Sequence, residues 1–174
     1  MMFATLYLPS FYLQAALRYQ PEFAETPVAL IDGEAAKTVI MQLNQVAETV
    51  GVHCGMTPSQ GLARCLQLVV KTRARAQENG VEQIVLQTAY SLSPFIEATA
   101  PGVCTIEFHR EQQIATRVSA ALEQLARVQI KAQAGIAPTA DASLLAAHLA
   151  RPLLQIGDAK TFLASLPLET LQIA

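Results

Sequence analysis

Short runs of alternating apolar and polar residues, interleaved with stretches of helical spacing, predict a mixed α+β chain. Phe3 to Leu8 puts Ala4, Leu6 and Leu8 on one face and Thr5 and Tyr7 on the other; Pro9-Ser10 stops it and offers an N-cap, so a strand is followed by a helix over Phe11 to Tyr19. Pro27 to Asp32 and Thr38 to Leu43 are short β-rich runs that pair as a hairpin across Gly33-Glu34. A helix is expected from Asn44 to Val50, stopped by Gly51, and another from Thr57-Pro58 to about Cys65, after which Leu66 to Lys71 reads as a strand. From Arg75 to Leu92 the positions Val81, Ile84, Val85, Ala89 and Leu92 recur at helical spacing, with Asn79-Gly80 expected to break the segment or delay its start.

The second half continues the alternation. Ile96 to Thr99 and Val103 to Phe108 flank Pro101-Gly102. A three-residue loop Ala100, Pro101 and Gly102 would pair Ile96 with Ile106 and Ala98 with Cys104 on a buried face, leaving Glu97, Thr99, Thr105 and Glu107 on a polar one. Ile114, Val118, Ala121, Leu122 and Leu125 mark a helix, Val128 to Ile136 alternates as a strand, and Pro138 starts a long helix reaching Ala150. The order strand–strand–helix–strand–helix, with the first strand at Phe3 to Leu8, predicts a ferredoxin-like α+β layer: an antiparallel sheet with helices on one face and its polar face open.

With 174 residues the chain is one generous domain or two small ones. Only 15% of its residues are charged against 52% apolar, so part of the surface is expected to meet a partner. No apolar run is long enough to span a membrane, and the start lacks the basic region of a signal peptide, so a cytoplasmic protein with no membrane partner is expected. Cys54, Cys65 and Cys104 form an odd, scattered set, which excludes a disulfide scaffold and reads as free thiols. Charge is uneven: residues 49–77 hold Arg64, Lys71, Arg73 and Arg75 and no acid, a candidate contact for nucleic-acid backbone.

Familiar catalytic chemistry is missing. Asp32, Asp141 and Asp158 are the only aspartates and none adjoins a second acid; His53, His109 and His148 lack metal-ligand spacing. Gly51 to Gly55 has a superficial likeness to a phosphate loop, but it follows a helix and has no Lys-Ser or Lys-Thr pair.

Five stretches in order resemble the Y-family, UmuC/DinB-type, translesion DNA polymerases. Thr5 to Ala16 (TLYLPSFYLQAA) is similar to the family's opening strand and helix, with Phe11-Tyr12 on its paired aromatics. Thr38 to Met56 (TVIMQLNQVAETVGVHCGM) and Ala63 to Val70 (ARCLQLVV) resemble the fingers, with their Gly-Val-x-x-Gly-Met turn and Cys-x-x-Leu-Val-Val strand. Tyr90 to Phe108 is similar to the palm hairpin, Gly135 to Pro152 to the last palm strand and helix, and Phe162 to Leu171 to the entry of the thumb. The resemblance implies a palm over 1–19 and 74–155, fingers over 20–73, and a thumb beginning at 156–174 and cut short at Ala174.

It also implies an emptied site. The family holds two divalent metals with a first-strand aspartate and a hairpin Asp-Glu pair, because in-line phosphoryl transfer needs its oxygens clamped. Those positions fall on Tyr7, with its neighbour on Pro9, and on Gly102-Val103; the triphosphate-gripping Tyr and Arg fall on Gln45 and Glu48, and the palm-helix lysines on Ala140 and Leu144. Such a frame resembles the ImuB branch, non-catalytic homologues that act as adaptors in damage-induced (SOS) mutagenesis. That implies no cofactor and no metal. The implied partners are DNA, held weakly by its backbone, and a sliding clamp, a replicative-type mutagenic polymerase and a RecA-like accessory protein, bound through regions outside this chain. Two other readings stand beside it: an active polymerase with a displaced metal site using Glu97 and Glu107, and an unrelated ferredoxin-like interaction domain.

Overall fold

The computed structural model describes residues 1–33, 38–109 and 112–167. Along the chain the elements are β1 (Met2–Tyr7), α1 (Phe11–Leu17), β2 (Val28–Ile31), β3 (Ile40–Leu43), α2 (Gln45–Thr49), α3 (Pro58–Arg64), β4 (Val69–Thr72) and α4 (Arg75–Leu92). Then come β5 (Ile96–Ala100), β6 (Val103–Phe108), α5 (Ile114–Arg127), β7 (Gln133–Ala137), α6 (Ala140–Leu149), β8 (Leu153–Gln155) and α7 (Ala159–Ser165). They form two compact units, residues 1–9 with 81–174, and residues 10–80.

The first unit is built on a five-stranded sheet in the order β5-β6-β1-β7-β8. β1 pairs antiparallel with both β6 and β7, which is the ferredoxin-like arrangement, and β8 adds a parallel strand that the sequence pattern did not announce. Ala4, Leu6, Cys104, Ile106, Ala134 and Ile136 share one face and are buried. α4 lies over that side, where its Val85 and Leu86 line a groove with Ala98 and Cys104; α5 follows, its Arg117 guanidinium 6.0 Å above the Phe108 ring.

The expectation of an open polar face needs correcting. α6 packs on the opposite face, over Thr5 and Gly135, and leaves Thr5 fully buried. Gly135 makes this approach possible, since a Cβ there would lie 2.2 Å from the Ser143 carbonyl oxygen and 2.3 Å from the Ala147 nitrogen.

Three further local expectations shift. α4 runs unbroken through Asn79-Gly80: its buried stripe of Val81, Val85, Ala89 and Leu92 outweighs the roughly 1 kcal/mol that an interior glycine costs. β7 begins at Gln133 rather than Val128, because Gln129 takes a left-handed conformation (φ 59°) and the Ile130 N–H bonds back to the Leu125 carbonyl, closing α5. In the β5–β6 hairpin Ile96 does face Ile106 and Ala98 faces Cys104, but Ala100 joins the strand opposite Val103 and Ala98 is exposed at the sheet edge.

The second unit has a three-stranded sheet, β3-β2-β4, with β2 antiparallel to β3 and parallel to β4. The β2–β3 pairing matches the expected hairpin, although Glu34 of its turn lies outside the described residues. Asn44 holds the unit together locally. Its Oδ1 accepts from the Ala47 N–H as the cap of α2 and from the Val28 N–H, each at 3.0 Å, while Nδ2 donates to the Thr26 carbonyl at 2.7 Å. Thr57 and Gln60 form a reciprocal capping box ahead of Pro58, and Gly51 ends the α2 segment at φ 83°. β4 begins at Val69, three residues later than the apolar run suggests, and Leu66 stands 90% exposed. Two small clusters fill the unit, one around Ala29, Ile40, Val52 and Leu68, the other around Leu13, Ala16, Val28 and Leu30. Among the described residues no helix is long and apolar enough to cross a membrane.

Candidate functional site

The resemblance draws attention first to the end of β1, and there the sheet register brings three of its positions together. Tyr7 stands opposite Val103, and the Leu8 N–H donates to the Gly102 carbonyl at 2.8 Å. Gly102 is buried at φ 76°, a backbone shape that suits glycine and closes the β5–β6 turn. Pro9 is half-buried beyond it. The Tyr7 ring stacks on His148 of α6, centroids 4.0 Å apart and planes tilted by 38°. Burial pushes the Tyr7 phenol above its ordinary value and the His148 imidazole below its own, so both rings are neutral near pH 7.

One turn inward, Thr5 is the middle of a hydroxyl chain, with its Oγ1 3.1 Å from Thr105 Oγ1 and 2.7 Å from Ser143 Oγ. Sequence reasoning missed this chain and the Tyr7–His148 stack; the glycine at 135 inside an apolar strand was the available signal that a helix backbone comes close. Ala140 and Leu144 lie half-buried on α6 and bring no charge. Glu97 and Glu107 do share the Thr105 side of the hairpin, but Glu107 is engaged by His109, whose Nε2 is 2.7 Å from its carboxylate. Among the described residues no three His, Cys, Asp or Glu side chains come together as a metal site. Cys104 is buried, which pushes its thiol up to about 11 and leaves it inert.

In the second unit a cleft of about 300 Å³ is lined by Ser10, Gln42, Leu43, Glu48, His53 and Cys54, among others. Glu48 gives it a carboxylate, and Gln45 is exposed one helical turn before it on α2. Partial burial and the Glu48 charge push the Cys54 thiol up, against a smaller opposing hydrogen bond, so it is a poor nucleophile. Cys65 packs beside the Ala29 cluster.

The four bases of the basic segment have different surroundings. Arg73 is embedded: Nε and Nη2 donate to the two Glu78 oxygens at 2.9 and 2.6 Å, Nη1 lies 3.4 Å from Asp32, and its guanidinium sits 3.9 Å from the Tyr12 ring centroid. The bonds to Glu78 hold its ionisation well above the usual arginine range, against the opposing effect of burial. Its side chain is only 11% exposed, so a phosphate would compete with two carboxylates for it. Arg75 is 55% exposed and 3.9 Å from Asp32. Lys71 donates to Gln20 and lies over the Phe23 ring, and Arg64 is exposed at the end of α3. Charge counting over 49–77 could not foresee the capture of Arg73, because Asp32 and Glu78 both lie outside that window. Asp141 is exposed in the first turn of α6, and Asp158 caps α7; the Thr161 hydroxyl first, then the Thr161 and Lys160 N–H groups, hold its carboxyl below the ordinary value.

Comparison with solved structures gives the same frame. The chain is similar to Dbh DNA polymerase in an insertion ternary complex (TM-score 0.84, 15% identity, 98% of this chain and 53% of that one). It is also similar to DinB from Sulfolobus solfataricus (TM-score 0.83, 14% identity, 98% and 53%). It thus spans about half the length of the structures it matches. No curated protein sequence matches it significantly. The model of the impB/mucB/samB family covers residues 6–148, and with the polymerase-like fold around that stretch, the chain belongs to this family.

Proposed function

We propose that this chain is the palm and fingers portion of a catalytically silent Y-family polymerase homologue that serves as an adaptor in damage-induced translesion synthesis, as in the ImuB branch. In this reading residues 1–19 and 74–155 are palm, 20–73 fingers, and 156–174 the start of a thumb. The observation that carries it is the pairing of Tyr7 with Val103 beside Gly102. These are the positions onto which the resemblance places three metal-holding acids. A neutral phenol stacked on a neutral imidazole, a turn glycine and a valine supply no anionic oxygen, so the family's metal ions do not fit this donor set. Glu48 in the fingers cleft supports the same reading, since it sets a negative charge where a triphosphate would need a positive one. A displaced metal site is disfavoured by the Glu107–His109 pair, which occupies one of its two carboxylates.

DNA contact, in this proposal, is weak and sequence-tolerant, made through backbone phosphates by Arg64, Lys71 and Arg75, with Arg73 left to its internal role. The clamp, mutagenic polymerase and RecA-like partners bind through regions outside this chain. Calorimetric titration of manganese together with a deoxynucleoside triphosphate tests inertness: no saturable heat and no rise in melting temperature are expected, and micromolar binding of the two together would overturn the adaptor reading. Primer-template binding by an Arg64→Ala, Arg75→Ala variant tests the DNA surface. The salt dependence should flatten by roughly 0.9 for each phosphate that the variant no longer neutralises.

A further inference from the structure

We propose that the free edge of β5 is a docking site for an extended peptide of a partner protein, one that presents apolar side chains on one face and lysine or arginine on the other. Four observations converge on this surface. β5 is the outermost strand of its sheet, and Glu97 to Ala100 are all exposed. Its backbone is oriented for pairing. The Glu107 N–H donates to the Phe95 carbonyl at 2.9 Å, so Phe95 and, two residues on, Glu97 turn their backbone groups toward β6, and the alternation of an antiparallel ladder turns those of Ile96 and Ala98 outward. The irregularity between Ala98 and Ala100 ends this run, leaving Phe95 to Ala98 as the usable stretch.

The two faces of that stretch differ in chemistry. On the α4 side Val85, Leu86, Ala98, Ala100 and Cys104 line a shallow apolar groove, with Glu82 among its walls. On the other side stands Glu97, and Phe95 is 55% exposed at the entrance. Residues 76–109 contain four glutamates and no lysine or arginine, the inverse of the segment before them. Sheet edges are commonly guarded by lysine, and this one has an acid instead. A strand laid against it would place alternate side chains over the groove and beside Glu97, so main-chain bonds give affinity while an apolar and basic alternation gives specificity.

The test is calorimetric titration of the full chain with a short synthetic peptide of alternating valine and lysine. Saturable binding is expected, with about a tenfold loss, the worth of roughly one hydrogen bond, when alternate peptide nitrogens are methylated. Ala98→Pro should weaken binding to the same degree without harming the sheet, because the N–H it removes points outward. Glu97→Lys tests the charge preference, and carries the experiment should circular dichroism show the proline variant unfolded. Absence of saturable binding to the parent chain, or equal binding by the parent and both variants, overturns the proposal. So does a dimer in sedimentation that Ala98→Pro dissolves, which would assign the edge to a second copy.

Discussion

The two units stabilise their sheets by opposite means. In the first, α6 comes so close to the sheet that its backbone touches Gly135, and small or apolar groups do most of the filling, with one short hydroxyl chain crossing the layer. In the second, the apolar clusters are small and polar side chains act as ties: Asn44 joins the entry of β2 to α2 through three backbone groups, and Arg73 gathers Asp32, Glu78 and Tyr12. A sheet of three short strands buries too little apolar surface to fix its own connections, so directional bonds supply what area does not. The comparison teaches that a charged residue has different meanings in the two units. A charge of the second unit belongs partly to its interior.

That contrast can be broken from either side. The largest effect is expected for Gly135→Ala, whose added carbon meets backbone rather than a movable side chain; destabilisation of the first unit by about 3 kcal/mol or more should appear in urea unfolding. Arg73→Ala should cost about 3 kcal/mol, because it strands the Glu78 side chain, only 7% exposed, without its partner. Hydrogen exchange read by peptide should show the destabilisation concentrated in residues 10–80. Asn44→Ala removes a cap and two further bonds at once and should cost about 2 kcal/mol in the same unit. If exchange instead rises equally everywhere, the two units do not unfold separately and the contrast loses its meaning.

The smallest effect is a pH window for the first unit. His148 has a lowered folded value, so its contribution is full above the ordinary imidazole value of about 6.5 and falls away as the pH drops below it. Tyr7 is raised, so its contribution is full below about pH 10 and is lost as the pH climbs past it. Melting temperatures across that range check both flanks, and His148→Phe should remove the acid one.

Much of the frame was legible because local signals agreed with one another. Thr57-Pro58 and Gly51 announced helix ends by their own chemistry, and the alternation of Ile96 to Phe108 fixed the hairpin register to the residue at Ile96–Ile106 and Ala98–Cys104. The misses share a cause: packing between residues distant in sequence overrode a local cue. Asn79-Gly80 looked like a break, yet the buried stripe of α4 carries the helix through it. Val128 to Ala132 alternates like a strand, yet the closure of α5 claims it. The site was half legible. Family resemblance placed Tyr7 and Gly102-Val103 beside one another, as the register does, but no pattern in the sequence pairs Tyr7 with His148 or assigns Arg73 to Glu78.

The hydroxyl chain also has a direction. Ser143 gives its single hydroxyl hydrogen to the Ala140 carbonyl at 2.7 Å, so it has none left for Thr5. Thr5 must therefore donate to Ser143, and Thr105 in turn to Thr5. Every hydrogen points from β6 across β1 toward the helix, and the polarity is set at one end, by a carbonyl in the first turn of α6. Damage to such a chain is not symmetrical. Thr105→Val removes only the first donor and leaves each remaining hydrogen with its acceptor. Ser143→Ala takes away the acceptor of the buried Thr5 hydroxyl and leaves that hydrogen to reverse toward Thr105, whose own must then turn away.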